Sequence, residues 1–494
     1  MRELVSQWKK DLPASVVVFL VALPLCMGIA LASGAPPARG LITGIIGGLV
    51  VGFLAGCPLQ VSGPAAGLAV IVWECIEKYG LESLGVLVLG CGIFQFLAGQ
   101  LGLGRWFQAV SPAVIKGMLA GIGLLIFASQ FHVMVDDSPK GGGWANISSL
   151  PGAVMKGVIP TENTTHHLAA MIGLTTLIVI VAWNYLRPKS LKLVPAPLVA
   201  IVVATAAAWS LPISRVKVPA NLADVVAFPT FSNLSFDLLL AALAMAFIAS
   251  AETLLCATAV DALHDGPRTN YDQELRAQGV GNLLCGLVGA LPMTGVIVRS
   301  SANIEAGGKS RLSAILHGVW LLAFVALLPF VLELIPTAAL AAVLVYIGYR
   351  LVDLSVIKKL KKYGWGEVGV YVATLTVIVF DDLLHGVLVG LALAMLRLVY
   401  NLSHLDVRSD DNGRDIDLHL EGAATFVSLP RLASALEGLP TRRRVRVHLN
   451  RLHLVDHACV ELLTNFDRLY TNGGGQLEVE WNELTSRTNL KVAS

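Results

Sequence analysis

The sequence predicts a mainly α-helical membrane protein: about fourteen transmembrane segments in a 7+7 inverted repeat containing two half-helices, followed by a small C-terminal α/β domain. Three observations carry this. Of 494 residues, 55% are hydrophobic and 14% charged, with mean hydropathy +0.70, a composition that no soluble domain sustains. Apolar runs of about 20 residues recur from Leu12 to Tyr400, each long enough to cross a bilayer. Near Leu405 charged residues become frequent, and short strand-like and helix-like patterns alternate through 406–494. The domains expected are therefore 1–405 in the membrane and 406–494 in the cytoplasm. A net charge of +2 gives no case for nucleic acid, so the lipid bilayer is the surrounding partner.

The segments fall at 12–33, 39–57, 64–79, 82–103, 110–135, 167–186, 194–213, 236–261, 274–291, 295–307, 312–334, 337–353, 366–380 and 384–402. The third and tenth are short. Being third in each half of an odd-numbered set, they imply two halves of opposite topology. Loop charge orients the chain. Loops on the N-terminal side carry Arg105, Arg187, Lys189, Lys192, Arg268, Arg276, Lys309, Arg311 and Lys358 to Lys362, whereas the opposite loops include Glu74, Glu77, Asp381 and Asp382. The positive-inside rule then puts both termini in the cytoplasm of a multi-pass plasma (inner) membrane protein. The 136–166 loop and the Arg215/Lys217 loop fit that rule less well. The basic start, Met1–Lys10, has no small-residue cleavage site after it, so an uncleaved first span is expected. The seven Cys are scattered without a CxxC pair and read as buried apolar residues. In the tail, Asp415–Leu420, Arg444–Leu449 and Gln476–Trp481 read as strands, and Leu429–Glu437 and Cys459–Tyr470 as helices.

The candidate site lies in the two short segments. Ser62-Gly63-Pro64-Ala65-Ala66-Gly67 opens the first, and Thr294 to Asn303 contains the second. Irregular backbone at membrane depth is tolerated only in protein or beside a cavity. A half-helix starting there turns unpaired N–H groups and its positive dipole end toward that cavity. The expected substrate-binding residues are Gly63, Pro64, Ala65 and Ala66 on one side and Gly295, Val296, Ile297, Val298 and Arg299 on the other. The small residues let a ligand reach backbone amides, or let helices pack closely. A charge such as Arg299 at the bilayer centre costs about 2.5–3.5 kcal/mol, so it needs an anion or a structural partner. Glu252, in the middle of the eighth segment, is the second intramembrane charge; it either holds Arg299 or caps the half-helices, or it couples transport to a proton. Glu274, Gln278 and Asn282 read as interhelical polar contacts ahead of a gating role, Lys116 as a snorkelling side chain, and His166-His167 as too few ligands for a metal.

These motifs resemble the SulP family of anion transporters. The likeness runs through Asp11-Leu12-Pro13-Ala14, Ala22-Leu23-Pro24, Val61-Ser62-Gly63-Pro64, Ala251-Glu252-Thr253-Leu254-Leu255, Gln273 to Asn282, the tenth segment and Ile335-Pro336-Thr337. The resemblance implies core and gate subdomains moving as an elevator, a homodimer and a C-terminal STAS domain. It maps a cation-coupling carboxylate onto Glu252. Sodium-coupled relatives place hydroxyls where this chain has Ala65, Cys256 and Ile297, none of which supplies a side-chain oxygen for a hard cation. Leu25 replaces a polar residue that faces substrate in many relatives, and His457 follows Asp456 where phosphorylated relatives have Ser. The expected function is secondary active transport of a small inorganic anion, bicarbonate ahead of sulfate, coupled to a proton or to sodium. An uncoupled channel or a membrane sensor is the alternative class. No nucleophile–base pair or cofactor motif supports an enzyme, and no cofactor or metal is expected.

Overall fold

The apolar runs become helices because a backbone in lipid must satisfy its N–H and C=O groups within its own segment. The structure is a computed structural model describing residues 7–105, 111–159, 165–188, 191, 193–217, 222–231, 235–413 and 415–479. The first helices are α1 (Trp8–Ala32), α2 (Pro37–Ile46), α3 (Ala66–Tyr79), α4 (Leu84–Gln100), α5 (Pro112–Met134), α6 (His166–Leu186) and α7 (Ala196–Ala207). They are followed by α8 (Phe236–Asp261), α9 (Tyr271–Leu287), α10 (Ile297–Glu305), α11 (Leu312–Leu327), α12 (Thr337–Leu351), α13 (Trp365–Phe380) and α14 (Leu383–Ser403). Among the described residues, 8 helical stretches are long and apolar enough to cross a membrane. The chain falls into two compact units, Met1–Leu391 and Ala392–Ser494.

Two three-residue strands interrupt this helical pattern, β1 (Ser62–Pro64) and β2 (Met293–Gly295). They pair antiparallel, Ser62 with Gly295, Gly63 with Thr294 and Pro64 with Met293. Periodicity could not reveal a strand so short; Gly and Pro gave the only signal. Each strand leads into a short helix. At 1.5 Å per residue, α3 is about 21 Å long and α10 about 14 Å, against about 30 Å for the hydrocarbon layer.

Small residues bring the neighbours close enough to hold these strands. After Ile46, α2 continues through a π-helical stretch, Gly47–Val51, and a last turn, Gly52–Leu54. A Cβ on Gly47 would stand 2.5 Å from the Ser62 carbonyl, and one on Gly48 2.6 Å from Gly318 Cα, so α2 can lie on β1 and α11 only with glycine there. Backbone contact likewise joins α9 to α4, where a Cβ on Gly286 would meet Leu89 N at 2.4 Å. Small-residue packing of this kind is the usual means of helix association in membranes.

One face of α9 cross-links both strands. Glu274, Gln278 and Asn282, spaced four apart and so stacked on one side of the helix, are all fully buried. Glu274 accepts from Cys57 N at 2.9 Å and from Gln60 Nε2 at 2.9 Å. Gln278 donates to Ser62 Oγ at 2.6 Å. Asn282 donates to Met293 O at 3.0 Å, accepts from Met293 N at 2.7 Å and donates to Gln95 Oε1 at 2.6 Å. These residues tie the short segments to the helix, as the polar-contact reading expected.

In the second unit, β3 (Leu405–Asp411), β4 (Asp415–Ala424), β5 (Arg444–Val455) and β6 (Gln476–Val479) form a sheet of order β3-β4-β5-β6. The first pair is antiparallel and the other two parallel. With α15 (Leu429–Glu437) and α16 (His457–Asn472) it encloses Ile416, Leu418, Leu420, Val445, Val447, Leu432 and Leu463. The strand β3 escaped the sequence reading because, beyond Leu405, its charged residues are partly or wholly exposed and show no alternation. Trp481, expected to end the last strand, lies outside the described residues.

Asn282→Ala would remove three hydrogen bonds and leave both polar groups of the Met293 backbone unpaired in the interior. Each orphaned group costs about 1–3 kcal/mol. The thermal unfolding midpoint of the purified variant in detergent should fall clearly below wild type; an unchanged midpoint would remove α9 as the anchor of β2.

Candidate functional site

Both half-helices begin without side-chain caps. The N-cap of α3 is Ala65, at φ −116° and ψ 139°, and that of α10 is Val296, at φ −109° and ψ 112°. Extended backbone at these positions follows from the strand pairing, which also lets Val296 N donate to Val61 O at 2.9 Å. Neither Ala65 nor Val296 can cap through its side chain, so each helix presents its positive dipole end bare.

Arg299 lies in the first turn of α10 and is fully buried, the largest such side chain among the described residues. Its Nη2 donates to Pro64 O at 3.4 Å, so the side chain reaches from α10 to the end of β1. Nε and Nη1 are buried and have no partner. A Cβ on Gly63 would stand 2.1 Å from Nη1; glycine at 63 is what leaves the guanidinium its place. Cys26 of α1 lies beside it. Among the described residues no carboxylate comes within ion-pair distance of Arg299, so Glu252 does not hold it. The backbone partner is real but long, and it satisfies one nitrogen of three.

Glu252, on α8, is partly buried, with Oε2 enclosed and unpartnered. It rests on the first turn of α3, where a Cβ on Gly67 would be 2.5 Å from Oε2. The guanidinium and the carboxyl thus flank the same β1–α3 corner without forming a pair. This corner collects Gly63, Pro64, Ala65, Arg299 and Glu252. Ala66 opens α3, and Gly295 closes β2 against Gln60. Ile297 and Val298 also belong to the first turn of α10, but their side chains are 40% and 48% exposed, so they offer backbone rather than side-chain chemistry.

Several residues that fix the corner were not singled out in the sequence. Thr253 Oγ1 accepts from Gly295 N at 3.1 Å. Ser300 Oγ accepts from Val61 N at 2.9 Å and donates to Val296 O at 2.8 Å. Asn303 Nδ2 donates to Leu59 O at 3.1 Å. Their signal was polarity inside an apolar run, with Ser300 and Asn303 one helical turn apart. At the positions where hydroxyls would suit sodium, Ala65 is a helix cap, Cys256 Sγ lies 3.7 Å from Ser300 Oγ, and Ile297 opens α10. Thr253 and Ser300 bring hydroxyls close by, each engaged with backbone.

Leu25 is buried in the apolar core and Lys116 is exposed. His166 and His167 bond separate carbonyls, those of Val135 and Gly157, each at 2.9 Å. The two rings therefore serve local structure. What the corner can do chemically is hold a small negative group: one guanidinium with free donors, two bare helix ends, and a carboxyl close enough to change the local charge.

Gly63→Ala should push the guanidinium aside while sparing the fold, since the colliding atom ends a flexible side chain. Affinity for small inorganic anions, read by thermal shift, should drop with little change in ligand-free stability. Retained affinity would show that the position of Nη1 does not matter.

The model of the sulfate permease family matches residues 8–374. A putative sulfate transporter, YbaR of Bacillus subtilis, is 27% identical over 98% of both chains. The bicarbonate transporter BicA of Picosynechococcus is 27% identical over 82% of this chain and 73% of its own. Murine Slc26a9, an anion transporter solved in the inward-facing state, superposes with a TM-score of 0.78 at 17% identity, covering 97% of this chain and 87% of its own; at that identity the likeness speaks for the fold. The chain belongs to the sulfate permease family, and it is a membrane transporter rather than an enzyme.

Proposed function

We propose that the protein is a secondary active transporter of a small inorganic anion, that bicarbonate is its substrate ahead of sulfate, and that a proton drives it through Glu252. The observation that carries this reading is Arg299: fully buried, with two unpartnered nitrogens, where two uncapped helices begin. Each helix end supplies about half a positive charge. With Glu252 ionised the corner sums to about one positive unit; protonation raises it to about two and so strengthens its hold on a monovalent or small divalent anion. The bicarbonate transporter among the relatives favours the first, and the putative sulfate transporter keeps the second in view. Sodium coupling is the weaker alternative, because Ala65, Cys256 and Ile297 bring no oxygens.

The reading includes a 7+7 inverted repeat of about fourteen spans. Two alike units, each a strand, an extended cap and a short helix, pair antiparallel, as a two-fold axis in the membrane plane would require. Elevator motion is supported by a second tight group of helices, in which Gly117 and Gly123 of α5 back onto α13 and α12. The protein sits in the plasma (inner) membrane with both termini cytoplasmic, and it is a homodimer. The C-terminal unit is a STAS domain whose role is assembly; His457 beside Asp456 leaves no phosphorylation switch there.

Arg299→Ala should abolish or strongly weaken anion binding in a protein that still folds, as measured by scintillation proximity on purified material. Unchanged affinity would make Arg299 structural. Glu252→Gln fixes the protonated charge. It should bind with little dependence on pH and exchange anions across proteoliposomes, but fail to concentrate them under an inward proton gradient. Accumulation that persists in Glu252→Gln would overturn the coupling role, and a wild type that requires sodium would replace the proton. A competitor panel of bicarbonate, sulfate and chloride in the same assay ranks the substrates.

A further inference from the structure

Away from the β1–α3 corner, the same helix α3 borders a cavity. This space of about 180 Å³ is lined by Val70, Trp73 and Glu74 of α3, Gln130 of α5 and Ile378 of α13, and roofed by the loop at 139–143. Its walls thus come from α1 and α3 on one side and from α5 and α13 on the other. The roof is tightly seated: a Cβ on Gly143 would meet Leu125 Cδ2 at 2.2 Å and Val379 O at 2.6 Å.

Glu74 is the anomaly here. Among the described residues it has neither an ion-pair nor a hydrogen-bond partner. The charges that bear on it, those of Asp382 and Asp381, are also negative, and Asp381 lines the same cavity. His385 is engaged with both aspartates, at 3.0 Å and 2.8 Å. On its own helix, Lys78 pairs with Asp237 at 3.9 Å. Lys140 of the roof and Lys156, on the helix Leu150–Val158 that follows it, each pair with Asp137 at 3.0 Å. No cation therefore reaches Glu74 from any element packed around it. Glu74 also stands in the last turns of α3, where the negative end of the helix dipole opposes a carboxylate. Gln130 is 2% exposed and its carboxamide, too, is without a partner among the described residues, which leaves it available to a neutral carboxyl group. An ionised carboxylate enclosed among like charges and apolar walls is costly, whereas a protonated one is not.

The geometry points to Glu74 as a second proton site: the α1/α3 wall closes on the α5/α13 wall, as in this structure, when the Glu74 carboxyl is protonated, and separates when it ionises. The roof does not titrate along with it. Burial opposes ionisation of Asp137, but its pairing with Lys140, Lys156 and His132 holds its carboxyl well below the usual carboxylate range. The inference rests on the proposed function only for its premise that the two helix groups move; it requires neither Glu252 nor a particular anion.

Spin labels at Glu77→Cys and Ser138→Cys report across the cavity, and the native cysteines of the described residues are all buried. In nanodiscs, the closed distance population should grow as pH falls from about 8 to about 5, by at most about tenfold per pH unit, the limit for one proton. Glu74→Gln should stay closed across that range while keeping its anion binding. In Asp381→Asn/Asp382→Asn the facing negative charges are gone, ionised Glu74 is less disfavoured in the closed form, and closure should persist to a higher pH. A wild-type distribution that ignores pH, a pH response that survives in Glu74→Gln, or an Asn pair with an unmoved midpoint would each overturn the assignment. Closure driven by sodium at constant pH would overturn it in favour of a metal cation. Glu252→Gln separates the two readings: it should keep pH-dependent closure even though concentrative uptake is lost.

Discussion

A fully buried guanidinium with no carboxylate in ion-pair reach among the described residues is the constraint on which the rest of this structure depends. Such a group would ordinarily recruit an acidic partner, and Glu252 is close enough to the same corner to be the obvious one. Instead the two charges rest on different parts of the β1–α3 turn, Arg299 against Gly63 and Pro64, Glu252 against Gly67. Had they paired, the corner would be closer to neutral and its donors spent. Kept apart, they leave a positive field that an anion can answer and a carboxyl whose protonation changes that field by about one unit.

Holding charges apart in a low dielectric demands a rigid frame, and the polar face of α9 provides it. Glu274, Gln278 and Asn282 absorb the backbone groups that the two short strands would otherwise leave unpaired. Thr253 and Ser300 do the same from α8 and from α10 itself. The glycines of α2, α4 and α9 are the steric half of that frame, because they let helix backbones approach until these hydrogen bonds can form. Irregular backbone is stable here because every nearby element has been shaped to receive it.

Much of this was legible in the sequence, for a physical reason. Lipid permits few backbone solutions, so apolar length locates helices, and Gly, Pro and one Arg inside a short run locate the exception. The helix bounds of α3 and α10 lie within a few residues of the expected segments. What could not be read is what depends on two distant segments at once. The pairing of β1 with β2 joins residues more than two hundred positions apart, and three-residue strands carry no period. The separation of Arg299 from Glu252 is set by glycine contacts in three dimensions. In the tail, β3 was hidden because an exposed, charged strand shows no alternation.

The helix α3 draws these threads together. Its bare N-terminus belongs to the proposed anion corner, while Glu74 sits about 13 Å further along, at 1.5 Å per residue. One rigid helix cannot move its first turn without moving its last. Any displacement that alters access to the corner therefore also opens or compresses the cavity around Glu74, whose other wall is α5 and α13. The dipole makes the ends unlike: the first turn favours negative charge and the last disfavours it. An anion arriving at one end and a proton arriving at the other would then both be favoured by the same element, with no direct contact between them.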